Sequence, residues 1–286
     1  MHRTRFALAT AVAALAAAGA GCAALGSPMA RGQRALDTGD YEAARTAYNE
    51  VIAREDPETL VVAYANRCIA NGELDDSDAA VADCTAALEA IDAHGVPEGV
   101  RREEILNNRA VVYIRKRDRE SAIADLDEAI ALDPEYVEAY ANRGRAYNDL
   151  DDYARALEDL DKAAELNDQL SDVFGNRAYA HQNLGDLDAA YADYERAIAI
   201  DNNETAYFNR AWLRYTYGDF DGAYEDFKSV VRYAGPLSFN KTIAEQQVEF
   251  LVNRPSAVGT ATSEAPAPSD DPEAEGEATP SPTAGE

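Results

Sequence analysis

The pair Asn-Arg recurs along this chain at near-regular intervals, at 66–67, 108–109, 142–143, 176–177 and 209–210, with steps of 42, 34, 34 and 33 residues between the asparagines. The repetition extends beyond the pair. Fourteen residues after each Asn stands an alanine (Ala80, Ala122, Ala156, Ala190, Ala223), and three further on an aspartate (Asp83, Asp125, Asp159, Asp193, Asp226). Cys84, Leu126, Leu160, Tyr194 or Phe227 follows directly. A fixed period of this length marks a chain that stacks one small supersecondary unit many times, each unit burying its apolar face against its neighbours.

Each unit reads as two short helices. Tyr140, Gly144 and Tyr147 lie at i, i+4 and i+7, one face of a helix. Leu150-Asp151-Asp152 makes a turn, with Asp152 suited to cap the second helix, whose apolar face is Ala156, Leu160 and Ala163. Breaks follow at Asp133-Pro134, Asn167-Asp168 and Asp201-Asn202. The 34-residue period, the small residue after Asn-Arg and the later Ala, aromatic and Ala resemble the tetratricopeptide-repeat family; Phe174, Ala178, Leu184-Gly185-Asp186, Ala190, Tyr194 and Ala197 show it well. The resemblance implies an all-α fold, in which antiparallel helix pairs stack into a right-handed superhelical solenoid with a concave groove.

The repeats divide the chain. Five units are expected at 61–102, 103–136, 137–170, 171–203 and 204–236, the first lengthened by an insertion whose loop signal is His94-Gly95 and Pro97. A degenerate capping unit precedes them over 22–60, with Ala30 and Ala47 where Asn and Asp would stand. Ala244, Val248 and Leu251 predict an amphipathic helix within 237–253, a lid over the last repeat. Residues 254–286 are acidic and rich in Pro, Ala, Ser and Thr, a composition that predicts disorder.

Residues 1–21 read as a secretory signal: Arg3 and Arg5, then an apolar stretch from Phe6 to Ala18 too short to span a bilayer convincingly. Gly19-Ala20-Gly21-Cys22 resembles a lipoprotein box, with Gly19 where Leu is usual, and would make Cys22 a lipidated first residue; Ala18-Gly19-Ala20 offers a competing soluble-export site. Either way the expected location is the cell envelope or periplasm. Export puts Cys68 and Cys84 in an oxidising compartment, where a disulfide can form if helix geometry brings them close enough.

Fifty-three acidic residues stand against 26 basic ones, a net charge of −27. Such a surface repels phosphate backbones and anionic headgroups, so nucleic acid is not an expected partner, and membrane contact is expected only through a lipid anchor. The three histidines are scattered, and no His-Glu-x-x-His, paired Cys-x-x-Cys or glycine-rich phosphate loop is present. The clusters Asp75-Asp76-Ser77-Asp78 and Asp219-Phe220-Asp221 suit helix capping better than calcium. The reading is therefore no enzyme, no metal and no cofactor.

The Asn and Arg columns point to different jobs, since neighbours on a helix lie about 100° apart. Arg67–Asp83, Arg109–Asp125, Arg143–Asp159, Arg177–Asp193 and Arg210–Asp226 are each 16 residues apart across a hairpin and are expected as structural ion pairs. The stripes through Asn66, Asn108, Asn142, Asn176 and Asn209 are mixed, polar and aromatic, and do not read as core. An Asn amide can both donate to and accept from a peptide backbone, and family members with an Asn ladder on their inner helices use it so. The alternative is that these amides bridge adjacent repeats. Arg115, Arg145, Tyr179 and Trp212, joined by Phe208 and Tyr215, would line the same groove and anchor a partner. The expected function is a non-catalytic scaffold holding another protein, or an extended peptide segment of one, in that groove. Self-assembly through the end cap is the alternative.

Overall fold

The computed structural model describes residues 26–236 and 238–254; the signal segment, Cys22 and the acidic stretch 255–286 lie outside them. Among the described residues there are thirteen helices and no strand: α1 Pro28–Asp37, α2 Tyr41–Ile52, α3 Pro57–Glu73, α4 Ser77–His94, α5 Arg102–Arg115, α6 Arg119–Leu132, α7 Val137–Asn148, α8 Tyr153–Leu166, α9 Ser171–Leu184, α10 Leu187–Asp201, α11 Glu204–Thr216, α12 Phe220–Tyr233 and α13 Phe239–Val252. Odd and even helices form successive hairpins.

One device makes every hairpin turn. Asp40, Asp76, Asp118, Asp152, Asp186 and Asp219 cap the even helices, each accepting a hydrogen bond from the backbone N–H three residues on. This satisfies one of the orphan donors of the helix start. The residue before each cap has positive φ: Gly39, Asp75, Arg117, Asp151, Gly185 and Gly218, at 74°, 61°, 61°, 58°, 84° and 82°. Glycine takes that conformation without penalty and aspartate is tolerated there; Arg117 is the one long side chain in the column, at a cost of roughly 1 kcal/mol.

Two columns 16 residues apart hold the hairpins shut, the charged one in every hairpin but α1–α2, where Ala47 stands in the Asp place. In the first, a small residue on the inner helix meets a large one on the outer helix. Gly144 shows how tight this is, since a Cβ placed there would lie 2.7 Å from Leu160 Cγ. Gly32 is as close to Tyr48. In α3 and α4 the same two places hold Cys68 and Cys84, which are joined as a disulfide with Cα atoms 5.3 Å apart.

The second column is charged. Arg143 donates from Nε and Nη2 to the two carboxylate oxygens of Asp159 at 2.8 and 2.7 Å, and from Nη1 to Asp127 of the preceding repeat at 2.5 Å. Arg177 repeats this with Asp193 at 2.7 Å twice and Asp161 at 2.9 Å. Arg67–Asp83, Arg109–Asp125 and Arg210–Asp226 form the same fork. The hydrogen bond to Asp is the largest reason that Arg109, Arg143 and Arg177 hold their protons more firmly than a free arginine. Each fork therefore ties a hairpin internally, and a third guanidinium bond in most units ties it to the one before.

Repeats also join through apolar faces. Val173 and Ala180 of α9 pack with Ala156, Leu160 and Ala163 of α8, and Ala206 and Leu213 of α11 pack with Ala190, Tyr194 and Ala197 of α10. One boundary departs from the sequence reading. The division between residues 60 and 61 would cut α3, which begins at Pro57, so the first hairpin is α1–α2. Helix α13 packs Ala244, Val248 and Leu251 on Ala223, Phe227 and Val230, as an inner helix packs on the outer helix before it. It lies over the last hairpin on the apolar face that the sequence pattern assigns to it.

Candidate functional site

The asparagine column does not do one thing. Asn66, Asn108 and Asn142 are 0%, 1% and 8% exposed, buried between repeats rather than presented on a groove. Asn66 donates to the Tyr48 hydroxyl at 3.1 Å, and Asn142 to Asn107 Oδ1 at 2.8 Å across to the preceding inner helix. The expectation that all five form a peptide-binding ladder is thus corrected for these three. The stripe misled because Val62 and Ile69, four residues before Asn66 and three after it on the same face, are themselves buried. Buried amides need partners, and Asn66 and Asn142 find them in neighbouring repeats.

Arg115 and Trp212 are likewise turned to structure. Arg115 donates to the Gly72 carbonyl at 2.6 Å and to Glu73 at 3.2 Å, joining α5 to the preceding turn. Trp212 packs edge-on against Phe208, Tyr215 and Phe227, with ring centroids 6.3, 5.7 and 5.4 Å away.

The other predicted residues do come together. Asn176, Asn209, Arg145 and Tyr179 line one cleft of about 730 Å³ on the inner-helix side, running from the α5–α6 turn to α13. Phe208 and Asn240 continue it toward the C-terminal end. The inner helices supply it because their outward arc, from the Asn position round to the residue before it, faces away from both outer helices. Tyr179 is 37% exposed and meets Tyr153 edge-on at 6.1 Å. Asn148 is 4% exposed; it donates to the Asn176 carbonyl at 2.9 Å and leaves Oδ1 without a hydrogen-bond partner among the described residues.

The cleft is zwitterionic. Asp149, Asp151 and Asp172 line it together with Arg117 and Arg145. Burial pulls the Arg145 guanidinium below the usual arginine range, Arg115 and Arg119 push the same way, and Asp149 and Asp172 oppose. Arg119 pairs with Asp149 at 3.1 Å. No group of three or more His, Cys, Asp or Glu among the described residues is arranged to hold a metal ion, and no helix among them is long and apolar enough to cross a membrane.

Sequence reasoning missed Arg117, Asn148, Asn203 and Asn240. For two of them a signal was there. Asn240-Lys241 is a conservative copy of the Asn-Arg pair, 31 residues after Asn209, and Arg117 falls nine residues after Asn108 in a column otherwise made of Gly and Asp. Asn148 and Asn203 carry no periodic signal; Asn203 caps α11 and also donates to Ser171 and Asp172 at 3.1 and 3.0 Å.

The comparisons with known proteins agree with this geometry. A family profile described as Tetratricopeptide repeat matches residues 29–94 and 107–171, and a second of the same description matches 171–204. No curated protein sequence matches the chain. Among solved structures, one described as a functional characterisation of Pseudomonas aeruginosa pilF is 20% identical, with a TM-score of 0.60 over 76% of this chain and 94% of that one. The thermophilic TPR protein TTC0263 of Thermus thermophilus is 18% identical, with a TM-score of 0.55 over 65% of this chain and 97% of that one. The APC/C hetero-tetramer Cut9–Hcn1 is 14% identical, with a TM-score of 0.64 over 78% of this chain and 42% of that one. At these identities the likeness is one of fold. With repeat profiles covering more than half of its length on a solenoid of helix pairs, this chain belongs to the tetratricopeptide-repeat family.

Proposed function

We propose that this protein is a non-catalytic scaffold of the bacterial cell envelope, holding a segment of a partner protein in its concave cleft. Tetratricopeptide repeats generally mediate protein–protein interaction, which supplies the class. The observation that carries the reading is the cleft: a surface where amides of Asn176 and Asn209 stand beside the rings of Tyr179 and Phe208. Amides serve a guest backbone whatever its sequence, while aromatic and Arg side chains anchor particular guest side chains. The envelope assignment rests on the signal-like segment 1–21 and on Cys22 as a lipid attachment point, and the Cys68–Cys84 disulfide is in keeping with an oxidising compartment.

Photocrosslinking tests the cleft. A photoreactive side chain at Tyr179 should capture a discrete protein in intact cells, and one at Glu158, exposed on the outer helix α8, should not. Asn176→Ala with Asn209→Ala should weaken capture, each amide contributing about 1–2 kcal/mol. Equal capture from both faces, or none from the cleft, defeats the reading. The envelope assignment has a separate test: Cys22→Ser should move the protein out of the membrane fraction, because stable anchoring takes more than one acyl chain.

A further inference from the structure

Glycine inside a helix costs stability relative to alanine, and Gly32 and Gly144 offset that by their close approach to Tyr48 and Leu160. Gly175, inside α9, has no such contact: among the described residues a Cβ placed there would meet no packing neighbour within 4 Å. The repeat does not ask for glycine there either, since the same place holds Ala65, Asn107, Ala141 and Phe208 in the other units. Bare backbone beside open space is what a glycine offers to a chain approaching closely from outside.

What surrounds Gly175 makes it a saddle in the cleft. Asp172, Gly175, Asn176 and Tyr179 lie at i, i+3, i+4 and i+7 on α9, and all four line the cleft. The exposed carboxylate and the exposed ring thus stand about 10 Å apart along the helix, with bare backbone between them. Asn148 of α7 reaches the same spot: it donates to the Asn176 carbonyl at 2.9 Å, and its enclosed Oδ1 has no hydrogen-bond partner among the described residues. An enclosed acceptor left in that state calls for a donor from outside the chain. An extended guest has backbone N–H groups to offer, whereas a helical guest uses its own internally. Charge narrows the guest further. Asp149, Asp151 and Asp172 outnumber Arg117 and Arg145 in the cleft, neither arginine is without a partner, and Glu138 is exposed at the place of Asp172 on the preceding inner helix. Asp172 accepts from Asn203 at 3.0 Å, and a carboxylate can take about four hydrogen bonds. Positive charge is complementary to this balance, and to a chain whose net charge is −27.

We propose that the partner segment is extended and cationic, and that its backbone crosses α9 at Gly175 with a basic side chain set between Asp172 and the Tyr179 ring. This rests on the cleft being the protein-binding site, and adds the chemistry of its guest. The aliphatic stem of a lysine or arginine lies well against an aromatic face and keeps its charge within reach of the carboxylate.

Random dodecapeptides displayed on phage and selected on the purified full-length protein test this. The enriched peptides should carry net positive charge. Gly175→Ala should weaken binding of a synthetic copy of one of them several-fold, because the new methyl stands where the guest backbone lies. The same variant should melt about 2 °C higher, because alanine is the better helix former and nothing in the chain is displaced. Asp172→Asn, which keeps an acceptor for Asn203, should also weaken binding several-fold, and by more at low salt than at high salt. Selection of no peptide, enriched peptides that are neutral or acidic, unchanged affinity in Gly175→Ala, or a lowered melting temperature in that variant would each overturn the proposal. Capture of a protein at Tyr179 in cells alongside any of these would leave the cleft as the binding site and strike only the chemistry of its guest.

Discussion

At the scale of single residues, the columns of this lattice divide by what surrounds them. Asn142 and Asn176 are the same residue type at the same repeat position, yet one is sealed between repeats and the other opens to the cleft. Asn142→Ala should lower stability by about 1–3 kcal/mol, because Asn107 loses its partner in a buried place. Asn176→Ala should change stability by less than about 0.5 kcal/mol and act on partner binding instead. Urea unfolding of both variants checks this, and equal losses would refute the division. The Arg–Asp forks are sharper still. Asp159→Asn leaves Arg143, whose side chain is only 19% exposed, without its bidentate partner, and should cost about 3 kcal/mol. Arg143→Lys should not restore the wild-type value in the same assay, since an ammonium cannot meet both oxygens in one plane.

Helix pairs are governed by the small-to-large contact. Gly144→Ala should destabilise by about 1–3 kcal/mol, because the new methyl meets Leu160 and either the side chain or the hairpin spacing must give. Thermal melts would show it, and an unchanged midpoint would mean that α7 and α8 can separate freely. Where other hairpins use such a contact, α3 and α4 use Cys68 and Cys84. Cys68→Ala with Cys84→Ala should cost roughly 3 kcal/mol for releasing a loop 16 residues long. The same loss should appear in unmodified protein unfolded under strong reductant, and its absence would show that the thiols are not paired in the purified protein.

Over the whole molecule, stability is a sum of neighbour contacts, so the ends matter most. Removing 238–254 would uncover Phe227 and Val230 and lose the burial of Ala244, Val248 and Leu251. A loss of about 4 kcal/mol and reduced solubility are expected, read by urea unfolding and light scattering. The sequence by itself determined the repeat, the hairpins, their Asp caps and the pairs 16 residues apart, since each is a local pattern that helix geometry converts directly into contact. Only the tertiary structure decided which copies of a repeated residue are buried. Asn66, Asn108 and Asn142 are buried, whereas Asn176 and Asn209 are half-buried and line the cleft, although one-dimensional periodicity assigns all five the same angle. What separates them is the set of side chains that neighbouring repeats bring to each position, such as Tyr48 to Asn66 and Asn107 to Asn142, and a buried environment of that kind is a property of several repeats at once.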